Sequence, residues 1–131
     1  MPQASQHRIL VVDDECTIRF ALREYLGALG YAVDCAAEKE EAEALIANVD
    51  YSVVLADLRL LGSDSREGLE VIAAARDRSR TTRIVLLSAF GSPGLEEQAH
   101  ALGADRVLRK PRPLSEIAAC LSSLLSREAV S

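Results

Sequence analysis

The sequence predicts a parallel α/β sheet with helices packed on both faces. Short apolar, β-branched runs alternate with segments of helical periodicity five times along the 131 residues, and that alternation is the signature of a sheet wound by right-handed crossovers. The apolar runs are continuous, as in strands buried on both faces. They also end in polar or charged residues, at the edge where open α/β sheets keep their ligand crevice.

Taken in order, Arg8-Ile9-Leu10-Val11-Val12 is the first strand. The spacing of Ile18, Ala21, Leu22, Tyr25, Leu26 and Leu29 then predicts a helix that Gly30 stops. Tyr31 to Ala36 is a short second strand. Glu38 to Asn48 is a helix with Ala42, Leu45, Ile46 and Val49 on one side and an acidic first turn suited to the helix dipole. Ser52-Val53-Val54-Leu55-Ala56-Asp57-Leu58 is the third strand, in which small and apolar residues run straight into one carboxylate. Leu60 to Gly68 is expected to be a loop from its Gly, Ser and Asp content. Leu69 to Arg78 is a helix, Arg83 to Ser88 a strand, Gly91-Ser92-Pro93-Gly94 a loop, and Leu95 to Leu102 a helix closed by Gly103. The last strand, Arg106 to Arg109, is weakly apolar. The last helix runs from about Pro113 to Ser126 and buries Leu114, Ile117, Leu121, Leu124 and Leu125, with Pro113 suited to its first turn. The expected organisation is a tail at 1–7, one domain at 8–126 and a tail at 127–131.

Composition narrows the function classes. A hydrophobic content of 49% and a length of 131 residues fit one soluble globular domain. No apolar run reaches membrane-span length, and Met1 to Gln6 lacks the basic and apolar regions of a signal peptide. The expectation is therefore a cytoplasmic protein without a membrane partner. A net charge of −5 argues against direct nucleic-acid binding. Cys16, Cys35 and Cys120 are odd in number and far apart, which reads as reduced thiols rather than a disulfide or zinc framework.

The strand ends carry the chemistry. They deliver Asp13 and Asp14, then Asp57, then Ser88, then Lys110. Individually each has a bland reading: a helix cap for the aspartates, a strand-ending serine, a solvated lysine. Together they place three carboxylates, a hydroxyl and an ammonium in one crevice. Three close carboxylates raise one another's pKa values unless a cation intervenes, and oxygen ligands select Mg²⁺ or Ca²⁺. Metal, ammonium and hydroxyl neutralise a phosphoryl group in transfer, and a carboxylate can be its acceptor. The residues thus point to Asp57 as a phosphoryl acceptor.

On five stretches the chain resembles the receiver domain of bacterial two-component response regulators: Ile9-Leu10-Val11-Val12-Asp13-Asp14-Glu15, Val53-Val54-Leu55-Ala56-Asp57-Leu58, Leu86-Leu87-Ser88-Ala89-Phe90-Gly91, Gly103-Ala104-Asp105 and Lys110-Pro111. The resemblance implies a flavodoxin-like (βα)5 fold with strand order 2-1-3-4-5. It implies a signalling domain rather than an enzyme, which takes phosphate on Asp57 from a sensor histidine kinase or phosphotransfer protein and acts on an unknown downstream protein target; a homodimer is a further contact it allows. It also implies Mg²⁺ held by Asp13, Asp14, Asp57 and the backbone carbonyl of Arg59, with Ser88 and Lys110 on the phosphoryl oxygens and a cis Lys110-Pro111 peptide.

Three positions depart from the family pattern. Leu61 stands where a proline is usual, and the stretch from Asp57 to Gly68 is about three residues longer than the common pattern. Val107 replaces the switch aromatic, and Arg112 follows Lys110-Pro111 where an aromatic is common. Arg59 and Phe90 are expected to flank the phosphoryl group and slow its hydrolysis. A constitutive interaction scaffold is the alternative that Val107 supports. An aspartyl-phosphate phosphohydrolase is disfavoured by Arg59, where such enzymes carry a second acid. A nucleotide-binding flavodoxin-like protein is disfavoured because Asp13-Asp14-Glu15 would repel phosphate.

Overall fold

The computed structural model describes residues 7–57, 66–88, 93–109 and 112–130. The chain alternates β1 (Arg8–Val12), α1 (Cys16–Ala28), β2 (Ala32–Ala36), α2 (Lys39–Asn48), β3 (Val53–Asp57), α3 (Arg66–Arg78), β4 (Arg83–Ser88), α4 (Pro93–Leu102), β5 (Arg106–Arg109) and α5 (Leu114–Val130). The strands form one sheet in the order β2-β1-β3-β4-β5, and every pair is parallel. This is the flavodoxin-like order that the resemblance implied.

Alternate residues of each central strand feed opposite sides of the sheet, as the strand period requires. Ile9, Val11, Val53, Leu55, Val85 and Leu87 pack with Leu22 and Leu26 of α1 and with Ile117, Leu121, Leu124 and Leu125 of α5. Leu10, Val12, Val54, Ala56, Ile84 and Leu86 pack with Ala42 and Ile46 of α2, Val71, Ile72 and Ala75 of α3, and Ala99 of α4. The two half-cores explain why β1, β3 and β4 read as unbroken apolar runs. β5 sits at the edge and is only partly covered, hence its weaker signal.

Several boundaries differ from expectation. α3 begins at Arg66 and α4 at Pro93, so residues 66–68 and 93–94 are helical rather than loop. Pro93 occupies the first helical position, where its missing N–H costs nothing. α5 starts one residue after Pro113, whose carbonyl accepts from Glu116 N–H at 3.0 Å and Ile117 N–H at 3.2 Å; at its other end it continues past Ser126 to Val130. Leu29 fits the α1 periodicity but is 56% exposed. The helix has ended there, and Gly30 turns the chain with φ +104°.

The amino edge of the sheet is tied by polar contacts. Asp105 accepts the Ile84 N–H at 2.8 Å and faces Arg76 at 3.3 Å and Arg83 at 3.9 Å. Arg76 also donates to the carbonyls of Gly103 at 2.8 Å and Arg80 at 2.8 Å. Gly103 has φ +119°, and a Cβ there would lie 2.7 Å from Arg76 Nε. The Gly103-Ala104-Asp105 motif is therefore a structural clasp: the glycine turns the chain under Arg76, and the aspartate holds the start of β4. In the edge strand β2, Asp34 accepts from the Tyr51 hydroxyl at 2.8 Å and from Arg8 at 3.4 Å. Burial and the Asp34 carboxylate push the Tyr51 phenol well above its ordinary value.

Candidate functional site

β1 lies beside β3, and β3 beside β4, so their carboxyl ends deliver side chains to neighbouring points of one edge. In register, Val12 sits opposite Ala56 and Asp57 opposite Leu87. Asp13 follows Val12, and Ser88 follows Leu87. Asp13, Asp57 and Ser88 are buried, at 1%, 4% and 3% exposure, whereas Asp14 is exposed. Carboxylate oxygens of Asp13, Asp14 and Asp57 all lie within 4.8 Å of one another.

The turn after β1 explains how two consecutive acids reach this point. The Asp13 N–H continues the ladder to the Ala36 carbonyl at 3.0 Å. The Asp13 carboxylate then accepts the Glu15 N–H at 2.9 Å, which folds the chain into α1. Glu15, not Asp13 or Asp14, is the N-cap of α1, and its side chain makes no capping bond. The bland reading of the two aspartates as helix caps does not hold. Arg19, one turn into α1, donates to the Asp13 carbonyl at 2.8 Å. Sequence reading missed this positioning arginine; its sole signal was a cation on the first turn of the helix that follows the acids.

The cluster has the dimensions of a site for a hard divalent cation. Two unit charges 4 Å apart repel by about 4 kcal/mol at an effective dielectric of about 20. Gathering three carboxylates is therefore costly unless positive charge joins them. Oxygen ligands lie about 2.0–2.1 Å from Mg²⁺ and about 2.3–2.6 Å from Ca²⁺, so opposite ligand oxygens are at most about 4.2 or about 5.2 Å apart. A cluster within 4.8 Å falls inside the Ca²⁺ span and would draw in by a few tenths of an ångström, about 0.6 Å at most, around Mg²⁺. One exposed member leaves a side open to water, which Mg²⁺ characteristically retains.

Lys110 follows Arg109, the register partner of Ser88. Lys110 itself, Pro111, Arg59, Leu61 and Phe90 lie outside the described residues, as does the extended stretch 58–65. Val107 is half-buried and packs against the half-core of α2, α3 and α4. Arg109 pairs with Glu96 at 3.4 Å and Arg112 with Glu116 at 3.3 Å. Beside the cluster, a cleft of about 230 Å³ opens between α1 and α5, with Ile18, Leu22, Leu114 and Ile117 on its walls and Glu15 and Arg112 among its lining. The three cysteines are free, and burial pushes the Cys35 and Cys120 thiols up. Among the described residues no helix is long and apolar enough to cross a membrane.

Known proteins resemble this chain in sequence and in fold. The family model for the response regulator receiver domain matches residues 9–122. The transcriptional regulatory protein ResD of Bacillus subtilis is 36% identical over 97% of this chain, and the match covers 51% of ResD. The two-component response regulator PhoP of Pseudomonas aeruginosa is 32% identical over 92% of this chain and 52% of its own length. The chain thus spans about half the length of these curated relatives. Among solved structures, a receiver domain protein of Methanospirillum hungatei superposes with a TM-score of 0.87 at 24% identity, over 96% of this chain and 99% of that one, a likeness of fold. A response regulator of Burkholderia pseudomallei, crystallised with a phosphorylated aspartic acid, a calcium ion and citrate, gives 0.80 at 31% identity, over 95% of this chain and 74% of that one. With the family match spanning most of its length, the chain belongs to the response regulator receiver domains, the signalling domains of two-component systems.

Proposed function

We propose that this domain is switched by phosphorylation of Asp57, with Mg²⁺ held by Asp13, Asp14, Asp57 and the Arg59 carbonyl. The observation that carries the reading is the pooling of three carboxylates within 4.8 Å at the carboxyl edge of the sheet. The Burkholderia relative with its phosphorylated aspartic acid and calcium ion supports it. An Asp57 carboxylate oxygen attacks phosphorus, the bond from phosphorus to the donor's histidine nitrogen breaks, and the histidine leaves with that electron pair. When bound, Mg²⁺ would offset the charge of the phosphoryl oxygens. The Ser88 hydroxyl and the Lys110 ammonium hold those oxygens. Asp13 fixes the turn that aims Asp14 into the cluster, and Arg19 braces Asp13 from α1.

The donor is a sensor histidine kinase or phosphotransfer protein. To reach Asp57 it covers the edge where the α1–α5 cleft opens, and that cleft's aliphatic walls suit a helix of the donor. Residues 8–126 act as the receiver, flanked by 1–7 and 127–131, in a cytoplasmic protein whose output is a phosphorylation-dependent contact with a downstream protein. Catalysis is confined to the domain's own phosphorylation and dephosphorylation.

Intact mass after treatment with a small-molecule phosphodonor tests this. Expected is addition of one phosphoryl group that requires Mg²⁺ and is absent in Asp57→Asn. A folded, Mg²⁺-binding protein that stays unmodified would overturn it in favour of a constitutive scaffold.

A further inference from the structure

We infer that the outer face of α1 is a homodimer surface, on which Phe20 of one copy seats over Gly27 of a second copy while Arg23 meets the second copy's Glu24 across a two-fold axis. Phe20 is 65% exposed. At 100° per residue it points away from Leu22 and Leu26, which are 1% and 0% exposed and anchor α1 to the sheet. A lone exposed aromatic carries nothing; its neighbours do.

Gly27 lies seven residues on, almost two full turns and about 10.5 Å along the same face. Beside it is a shallow depression of about 340 Å³ lined by Arg23, Glu24, Gly27, Ala28, Tyr31 and Val33. A Cβ built on Gly27 meets nothing within 4 Å, so its missing side chain serves no packing inside this chain. One helix face thus presents an apolar knob and a hollow two turns apart.

Two such helices placed antiparallel, with Phe20 against the second copy's Gly27, bring Arg23 opposite the second copy's Glu24, and Glu24 opposite its Arg23. Both residues are exposed, and among the described residues neither has an ion-pair partner in its own chain. The face is self-complementary in shape and in charge at once. An isologous two-fold contact demands that property: each residue that meets a partner position is met by it in return. A foreign partner would not require the knob–hollow spacing to coincide with an opposite-charge pair at its midpoint.

Sedimentation velocity on the full chain, from micromolar to millimolar, tests the surface. The parent is expected to dimerise reversibly. Phe20→Ala is expected to weaken association by about tenfold or more, as is Gly27→Gln, which fills the hollow while leaving open space around it in the monomer. R23E and E24R each set like charges opposite one another and are expected to weaken it by about tenfold, whereas R23E/E24R restores opposite pairing and should return to within about threefold of the parent. Thermal melts by circular dichroism confirm that every variant folds. A parent that stays monomeric to millimolar concentration, a Phe20→Ala chain that dimerises like the parent, or a double variant no better than the singles would each overturn the inference.

Discussion

The two edges of the sheet use aspartate in opposite ways. At the amino edge Asp105 receives the Ile84 N–H and faces Arg76 and Arg83, and Asp34, midway along β2, receives the Tyr51 hydroxyl and Arg8 from the amino ends of β3 and β1. Each negative charge there is matched by donors from distant parts of the chain. At the carboxyl edge Asp13, Asp14 and Asp57 crowd within 4.8 Å of one another. Donors that reach an aspartate from remote segments tie those segments together, whereas carboxylates pooled at one point create affinity for a cation. The fold is fastened at one edge and gathers carboxylates at the other. Substitutions at the two edges should therefore move stability in opposite directions.

The largest effect is expected at Asp105. Truncating it to alanine leaves the Ile84 N–H without its acceptor and Arg76 without its carboxylate. The cost should be about 2–3 kcal/mol, given that one hydrogen bond to a charged group is worth about 1.5–3 kcal/mol and that the site is only partly buried. Urea unfolding should show a lower midpoint at an unchanged slope. A neutral Asp105→Ala would dissolve the contrast between the edges. Gly103→Ala strikes the same clasp from its other side. It forces an alanine to φ +119° and drives its Cβ against Arg76, so a loss of about 1–2 kcal/mol is expected by the same measurement.

The two edges were not equally legible in the sequence. The carboxyl edge was readable because its polar residues stand directly at the ends of apolar runs: Asp13 after Val12, Asp57 after Ala56 and Ser88 after Leu87. Strand burial on both faces makes such runs unmistakable, and β4 and β5 were located to the residue. The clasp was opaque because its partners are remote. Arg76 and Asp105 are 29 residues apart, and Asp105 and Ile84 are 21 apart; no local pattern announces either pairing. Gly103-Ala104-Asp105 was noticed as a resemblance, but its mechanical role rests on those remote contacts. Helix starts were missed where helix-compatible residues sit among loop formers, as with Arg66 after Ser63-Asp64-Ser65 and Pro93 after Gly91-Ser92. Leu29 shows the reverse error: the apolar period outlasted the helix, because periodicity does not register where the backbone turns away.

At the carboxyl edge the sign should invert. Asp13→Asn removes one of three neighbouring charges and keeps an oxygen to accept the Glu15 N–H. In metal-free buffer it should be more stable than the parent by about 1 kcal/mol. Millimolar Mg²⁺ should raise the melting temperature of the parent by linkage and that of Asp13→Asn much less. If Asp13→Asn is destabilised in metal-free buffer, like-charge crowding is not the dominant energy at this edge.

The smallest effect sharpens the amino edge through pH. The Tyr51 hydroxyl donates to Asp34, and burial together with that carboxylate raises its pKa. A group whose pKa is higher folded than unfolded stabilises fully below its unfolded value, about 10 for tyrosine, and that stability is lost as pH climbs beyond it, because only the unfolded phenol then ionises. Tyr51→Phe should therefore cost about 1 kcal/mol at pH ~8, the worth of one neutral hydrogen bond. The gap between parent and variant should shrink as pH rises above ~10, since the phenyl ring of the variant has no proton to release on unfolding. The other tyrosines and the cysteines titrate in both proteins and cancel in the difference. Urea midpoints at the two pH values provide the readout. A gap that stays constant would mean that the Tyr51 phenol is as free to ionise in the folded edge as in the unfolded chain, and that Asp34 is held by Arg8 alone.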